Sequence, residues 1–229
     1  MSTKVEKREL VIPGQLLAEG DYISGENTYK IDEKIFSLKV GLFDLFNKKL
    51  VVVPIKSCYI PFIEDYVIGR VTNSEIFGWF IYINSPYLGL LPSSDLSGQR
   101  HREKETSDRA KIFVGDLVKA KVVAFDRTRD PLLTVRERGL GKISSGKIIE
   151  ISPAKIPRLI GKGGSMIGML KNETSCQIFI GRNGIVHVSG NREEDVDLTL
   201  WAIKKIDEEA HTSGLTDRLS EDLKKRRVT

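Results

Sequence analysis

A short glycine-rich loop between two helical segments is the feature that most constrains what this chain can fold into. Residues 161–164 read Gly-Lys-Gly-Gly, with helices predicted over residues 154–160 and 165–172. Glycines allow a tight turn in which no side chain blocks a sugar-phosphate backbone, and the start of the second helix offers N–H groups to phosphate. Lys162 adds a positive charge at the tip of the turn.

The elements around this loop predict a known module. Residues 147–151 form a strand before it, residues 177–180 and 185–188 a β pair after it, and residues 192–209 a long amphipathic helix. The order βααββα with a glycine loop between the first two helices is that of a type I KH domain, which binds RNA. We assign it residues 143–229, including a helical C-terminal tail. The predicted RNA contacts are Arg158, Gly161, Lys162, Gly163 and Gly164. A purely structural helix–helix turn is the alternative.

The distribution of charge favours a nucleic-acid partner. The net charge is only +5, but residues 143–192 carry seven Lys and Arg against two Glu. Such a local surplus is expected of a surface that follows phosphates. The apolar runs fall far short of the ~20 residues that span a bilayer, which excludes a membrane protein. Two distant cysteines, Cys58 and Cys176, lack disulfide or zinc spacing and suit a reducing cytoplasm.

Residues 63–142 predict a second RNA-binding module. Five short strands are expected at residues 67–72, 78–83, 89–91, 117–125 and 132–135, with a polar loop and short helix over residues 93–109. Five strands with a long connection before the fourth match the OB fold. Phe77 and Phe80 flank Trp79 on and beside the second strand, where exposed rings stack bases and buried rings fill the core.

Residues 1–62 predict a small β domain. Strands are expected at residues 10–12, 28–31, 35–40 and 50–55, separated by turn signals such as Asn47-Lys48. Because some sixty residues with few apolar side chains bury only a marginal core, we expect this domain to dock on a neighbouring domain or a partner protein. The predicted fold class is multidomain α+β: a small N-terminal β domain, a five-stranded OB barrel and a C-terminal type I KH domain.

No arrangement typical of an enzyme is found in the sequence. His101, His187 and His211 are isolated from one another and from carboxylate or cysteine ligand spacing. Neither a metal site nor a nucleophile–base pair follows from such a pattern. We therefore expect no catalytic residue, no metal and no cofactor.

Four short motifs of this sequence resemble the RNA-binding cap subunit of the archaeal exosome, which belongs to the ribosomal-RNA-processing protein four family. The resemblance covers about residues 10–210. It rests on Val-Ile-Pro-Gly at residues 11–14, Tyr-Ile-Pro at 59–61, Asp-Tyr-Val-Ile-Gly at 65–69 and Gly-Arg-Asn-Gly at 181–184. The last motif, Gly-X-Asn-Gly, is characteristic of the family's KH domain.

The resemblance implies a non-catalytic adaptor for single-stranded RNA. Three such subunits, alone or mixed with another cap subunit, sit on a hexameric ring of RNase-PH-like proteins that degrades RNA from its 3′ end. The N-terminal and KH domains hold the ring while the barrels surround the entrance. Phe77, Phe80 and Asp126 match the RNA-facing positions of such barrels, and Arg127 or Arg129 replaces a basic neighbour. Where related barrels carry a histidine, Pro92 follows Gly-Leu-Leu here.

Two points stay open at this level. Asn183 and Gly184 tolerate a left-handed backbone, so the motif formed by Gly181, Arg182, Asn183 and Gly184 is either a structural turn against the neighbouring domain or an RNA contact. The function also has rivals: a transcription or translation factor built from the same modules, or a nuclease with an unrecognised site. The single KH domain placed after the barrel favours the adaptor.

Overall fold

The computed structural model describes residues 2–55, 58–97, 112–209 and 215–228. The chain forms two compact units, Met1–Ser57 and Cys58–Thr229. The first is a small β domain, and the second joins a five-stranded barrel to a helical and β domain of KH topology. This is the predicted α+β architecture. No helix in the described ranges is long and apolar enough to cross a membrane.

Short strands form two small sheets in the first unit. The strands are β1 Ser2–Thr3, β2 Leu10–Val11, β3 Leu16–Glu19, β4 Ile23–Ser24, β5 Thr28–Ile31, β6 Lys34–Ser37, β7 Gly41–Phe46 and β8 Lys49–Pro54. Their orders are β1-β3-β6-β5 and β2-β7-β8-β4. Leu17, Ile35, Phe43 and Leu50 are fully buried between them, so the unit has a core of its own.

The prediction missed four strands of this unit, the two-residue strands β1 and β4 and the longer strands β3 and β7. β3 and β7 lie where no strand was expected, because β3 is short and Asp44 interrupts the apolar run of β7. The predicted turn at Asn47-Lys48 is confirmed. Both residues have positive φ, 45° and 68°, as a two-residue hairpin turn requires.

The barrel closes from five strands. They are β9 Tyr66–Glu75, β10 Gly78–Tyr82, β11 Leu88–Pro92, β12 Leu117–Ala124 and β13 Leu132–Thr134, and α1 Ser93–Ser97 follows β11. β13 pairs with both β11 and β12, which completes the circle. The remainder of the predicted 93–109 loop lies outside the described residues. A short strand, β14 Gly141–Lys142, pairs with β12 on the edge opposite β9.

Inward-facing residues alternate along the barrel strands. Val67 and Val71 of β9, and Trp79 and Ile81 of β10, belong to the core, while Arg70 and Tyr82 are exposed. This period of two is the pattern expected of a barrel filled by its own side chains. The polar or aromatic residues between the core positions are therefore left on the outer face.

The KH domain follows the predicted order. Its elements are β15 Lys147–Glu150, a 3₁₀ turn Pro153–Lys155, α2 Ile156–Ile160, α3 Ser165–Thr174, β16 Gln177–Ile180, β17 Ile185–Ser189 and α4 Glu193–Glu208. The antiparallel sheet has the order β15-β17-β16, and Ile178, Val186 and Val188 pack against the helices. A further helix, α5 Leu215–Val228, buries Leu215, Leu219 and Leu223 in the same core.

The C-terminal helix is held by charge as well as by its leucines. Lys205 of α4 lies 2.6 Å from Asp222 of α5. The guanidinium of Arg226 lies 3.9 Å from the ring centroid of Trp201, a cation–π contact. The predicted helical tail is thus an integral part of the KH core. The sequence pattern indicated a charged tail but not the leucine stripe that docks it.

The turn between β16 and β17 joins the KH domain to the barrel. Asn183, in this turn, is fully buried. Its Nδ2 donates to the carbonyls of Ile68, at 2.6 Å, and Ile83, at 2.9 Å, and its Oδ1 accepts from Ile68 N–H at 3.3 Å. Arg182 N–H donates to the carbonyl of Tyr66 at 2.8 Å. One asparagine thereby satisfies buried backbone groups of two barrel segments.

The helix-free face of the KH sheet also packs on the barrel. Phe179 meets Tyr66 edge to face at 6.2 Å, and Lys119 Nζ lies 5.0 Å from the Phe179 ring centroid. His187, 4% exposed, lies in the same layer with its Nε2 2.7 Å from the Ser145 carbonyl. Burial lowers the pKa of His187 below its usual 6.5 despite this hydrogen bond, and the charge of Lys119 lowers it further.

We expect Asn183→Ala to destabilise the second unit strongly. The change removes three hydrogen bonds and leaves buried backbone groups without these partners, which costs roughly 3 to 5 kcal/mol. Chemical denaturation would measure it. The control is Asn172→Ala, at an exposed position, which should change the free energy of unfolding by less than about 0.5 kcal/mol. Equal stabilities would contradict the role of Asn183.

Acidification should destabilise the protein through His187. The pKa of His187 in the folded protein lies below the usual 6.5, so as the pH falls His187 is protonated first in the unfolded chain. The stability that neutral His187 provides above pH 6.5 is therefore lost as the pH falls below that value. Denaturation midpoints between about pH 7.5 and 5.5 would show the decline. In His187→Gln this component of the slope should disappear. An unchanged slope would show that other groups cause it.

Candidate nucleic-acid interface

The glycine loop forms a tight left-handed turn between α2 and α3. Gly161, Gly163 and Gly164 have φ values of 76°, 61° and 81°. A Cβ at Gly161 would lie 2.7 Å from the backbone N of Met166, so the fold itself requires this glycine. A Cβ at Gly163 would meet nothing within 4 Å. Since its left-handed φ disfavours any side chain there, the space above Gly163 stays open for a backbone to approach.

Positive charge and a helix start lie beside this open space. Lys162 is exposed at the tip, and Arg158 is half-buried on α2. No side chain caps α3, whose N-cap is Gly164. The helix start is therefore not shielded by a capping side chain, and its positive dipole end is available to an anion. The predicted loop residues are thus brought together in one exposed, basic turn.

The barrel carries an aromatic pair on its outer surface. Phe77, in the β9–β10 turn, is 54% exposed. Its ring packs edge to face on Phe80 with centroids 6.2 Å apart and an interplanar angle of 86°. Trp79 turns inward instead, packs against the barrel core and donates its Nε1–H to the Ile112 carbonyl at 3.2 Å. The structure therefore separates the two surface phenylalanines from the core tryptophan.

The β12–β13 loop has a fixed shape. Asp126 Oδ1 accepts hydrogen bonds from Thr128 Oγ1 at 2.8 Å, Thr128 N–H at 3.0 Å and Arg129 N–H at 3.2 Å. The hydrogen bond from the Thr128 hydroxyl lowers the pKa of Asp126 most, and the backbone hydrogen bonds and the Arg129 charge add to this. Arg127 has a left-handed φ of 68° and is exposed.

Backbone contacts bring this loop to the aromatic side of the barrel. Leu88 N–H donates to Asp130 Oδ1 at 3.1 Å, and Leu90 N–H donates to the Pro131 carbonyl at 2.9 Å. Leu90 is the cross-strand partner of Phe80. The loop that carries Asp126, Arg127 and Arg129 therefore adjoins the strand next to the aromatic pair. In an OB fold this face and these loops bind oligonucleotides.

Among the described residues, the other positions singled out in the sequence lie away from these two surfaces or offer no hydrogen-bond donor to RNA there. Pro92 ends β11 opposite Gly78 and offers no donor where related barrels carry a histidine. The turn formed by residues 181–184 is used at the barrel joint, with the polar atoms of Asn183 hydrogen-bonded there. His187 is buried at the same joint, whereas His101 and His211 lie outside the described residues. Within the described ranges, no three His, Cys, Asp or Glu side chains are grouped as metal ligands.

One joint residue was missed from the sequence. Asn84, in the β10–β11 loop, donates from Nδ2 to the Asn183 carbonyl at 3.1 Å and to Glu150 Oε1 at 2.8 Å. Its φ of 54° is left-handed. An asparagine between an apolar strand and Ser85-Pro86 is a typical turn signal. That signal could have located the turn but not its partner in the KH domain.

Comparison with known proteins shows which family this chain belongs to. Two family models match: "Exosome RNA binding protein RRP4 N-terminal domain" over residues 8–56 and "KH domain" over residues 146–194. The chain is 45% identical over 221 residues to the exosome complex component Rrp4 of Methanobrevibacter smithii, covering 96% of this chain and 72% of that protein. It is 41% identical to the Nitrosopumilus maritimus Rrp4, covering 96% and 98%. The chain belongs to the Rrp4 family.

A solved structure supports the Rrp4 fold. A crystal structure of a protein provisionally described as an exosome complex RNA-binding protein is 46% identical, with a TM-score of 0.67. It covers 75% of this chain, and 99% of that protein is matched. The resemblance drawn from the sequence motifs is thereby confirmed at the level of the family. Which residues of this Rrp4-family chain contact RNA stays a prediction.

Replacing Lys162 with Glu should weaken binding of single-stranded RNA. Reversing the charge at the loop tip replaces attraction to phosphate with repulsion, so affinity should fall about tenfold at low salt and less at high salt. Titration of labelled RNA at several salt concentrations measures both effects. A second variant, Lys162→Glu with Arg158→Glu, should bind more weakly still.

The matched control is Lys204→Glu, which makes the same change of charge at an exposed position on α4. It should leave affinity nearly unchanged. If Lys162→Glu also binds like the wild type, the glycine loop has a structural role only.

Proposed function

We propose that this chain is a non-catalytic RNA-binding cap subunit of an exosome. It binds single-stranded RNA and directs it into a ring of RNase-PH-like subunits for degradation from the 3′ end. Two surfaces bind the RNA: the loop formed by Arg158, Gly161, Lys162, Gly163 and Gly164, and the barrel face formed by Phe77, Phe80, Asp126, Arg127 and Arg129. The turn at residues 181–184 is structural.

The observation that supports this most strongly is that two nucleic-acid surfaces occur in one compact unit. The barrel supplies exposed rings, which stack any base, and the KH loop supplies an open backbone turn with a cation. Stacking and phosphate contacts carry little sequence information. Such a combination suits a protein that must accept many RNAs and pass them on.

The relatives support the assembly. Proteins that match nearly the whole chain are named exosome complex components. The N-terminal unit exposes several large apolar side chains, including Leu10, Ile12 and Ile23, each more than half exposed. Contiguous apolar patches are typical of interfaces with other proteins, and we propose that these side chains contribute to one. We propose that this unit docks on the ring together with the KH domain, with three copies per ring, alone or mixed with another cap subunit.

The chemistry belongs to the ring in this proposal. The part of the chain that the structure describes provides surfaces for RNA bases and phosphates. Its buried histidine, His187, contacts the backbone carbonyl of Ser145. The setting we propose is the cytoplasm, where Cys58 and Cys176, which are both free, remain reduced.

The purified chain should leave RNA intact. End-labelled single-stranded RNA, incubated with the chain alone and with Mg²⁺ in the presence or absence of phosphate, should keep its full length while remaining bound. Native mass spectrometry of the complex recovered from the host should show the chain with RNase-PH-like proteins. RNA shortening by the chain alone would contradict the adaptor and favour an enzyme.

A further inference from the structure

The outer face of β10 carries a third aromatic residue that the predicted barrel site does not include. Tyr82 is 46% exposed, and its neighbours Ile81 and Ile83 are fully buried. Phe80 and Tyr82 therefore lie on the same face of one strand, two residues apart. At ~3.3 Å per residue, their Cα atoms are about 6.6 Å apart along the strand. The register with β11 is regular here, with Phe80 opposite Leu90 and Tyr82 opposite Leu88.

Tyr82 has a basic neighbour on one side of its strand. Arg70 of β9 is its cross-strand partner and is exposed. On the other side, Leu88 is fixed to Asp130 of the β12–β13 loop, the loop that carries Arg127 and Arg129. Arg70 and Arg127 form no ion pair within the residues that the structure describes. An exposed ring beside a cation is an arrangement that binds a base and an adjacent phosphate.

Tyr82 also lies where the barrel meets the KH domain. Its hydroxyl is 3.4 Å from Asn84 Oδ1, and Asn84 donates to the Asn183 carbonyl of the KH turn. The aromatic face thus extends from Phe77 at the hairpin tip, through Phe80, to a residue in contact with the domain joint. The core does not need this ring, since Trp79, Ile81 and Ile83 fill the inner side of the strand.

We propose that Tyr82 stacks a base of the bound single-stranded RNA and that Arg70 binds an adjacent phosphate. The ring extends the barrel site beyond Phe77 and Phe80 and carries the RNA from the hairpin tip toward the KH domain. This proposal rests on the proposed function, because it names further contacts of the same RNA. Successive bases stack on successive rings, so the three aromatic residues form one path.

Affinity for RNA tests the ring directly. With the full chain and an unstructured oligoribonucleotide, Tyr82→Ala should bind about tenfold more weakly, whereas Tyr82→Phe, which keeps the ring, should stay within about twofold. Arg70→Gln should reduce the slope of log affinity against log salt by about 0.7, the value for one phosphate of a single strand. The matched control is Phe113→Ala, which removes a ring that is 61% exposed and lies over Lys142 rather than on β10.

A second measurement reports stacking itself. RNAs with a single 2-aminopurine moved along the sequence lose fluorescence where that base stacks on a ring. Tyr82→Ala should show one fewer quenched position than the wild type, and Tyr82→Phe should keep it. A loss of affinity caused by misfolding would abolish quenching everywhere, so the two causes are distinguishable.

The outcomes separate this proposal from the function on which it rests. If Phe77→Ala and Phe80→Ala weaken binding but Tyr82→Ala does not, the Tyr82 site is wrong and the RNA-binding function stands. If none of the three changes affinity, the barrel function itself is wrong. If Tyr82→Ala binds RNA normally but recovers fewer ring proteins from the host, the residue contacts protein and the proposal is overturned.

Discussion

A buried asparagine side chain holds the two modules of the second unit together. Asn183 extends from a four-residue turn of the KH sheet and hydrogen-bonds to backbone groups of Ile68 and Ile83, on two barrel segments. These groups are paired inside a buried interface, where losing a partner is costly and a satisfied network enforces one geometry. The orientation of barrel and KH domain therefore depends on this residue, and the contact of Lys119 with the Phe179 ring adds to the same joint.

This joint fixes the relation between the two surfaces that we propose bind RNA. The KH turn and the helix-free face of its sheet are used against the barrel, while the glycine loop at α2–α3 remains exposed. On the barrel, the KH domain covers part of the outer face of β9 and leaves the outer face of β10 open. A strand of RNA would meet two surfaces in a fixed relation, and such preorganisation lowers the entropic cost of binding both.

Prediction from sequence succeeded where the pattern is local. β16 was predicted to the residue, and the barrel strands were predicted to within a few residues. In β11, β12 and β13 the buried positions alternate clearly. It failed at β3 and β7 of the N-terminal unit, where strands are short or interrupted by Asp44. The leucines of α5 were also missed. Their helical spacing becomes meaningful only when α3 and α4 are present to cover them.

The sequence by itself determined the modules: the glycines at 161, 163 and 164 demand a turn with left-handed φ, and the strand and helix periods around them admit a KH domain. The tertiary structure alone decided which side chains meet. Whether Gly-Arg-Asn-Gly was a turn or a ligand contact, and which of Phe77, Trp79 and Phe80 faced solvent, stayed open in the sequence. The reason is physical: Asn183 and Ile68 are 115 residues apart, and contacts at that separation depend on packing rather than on local preference.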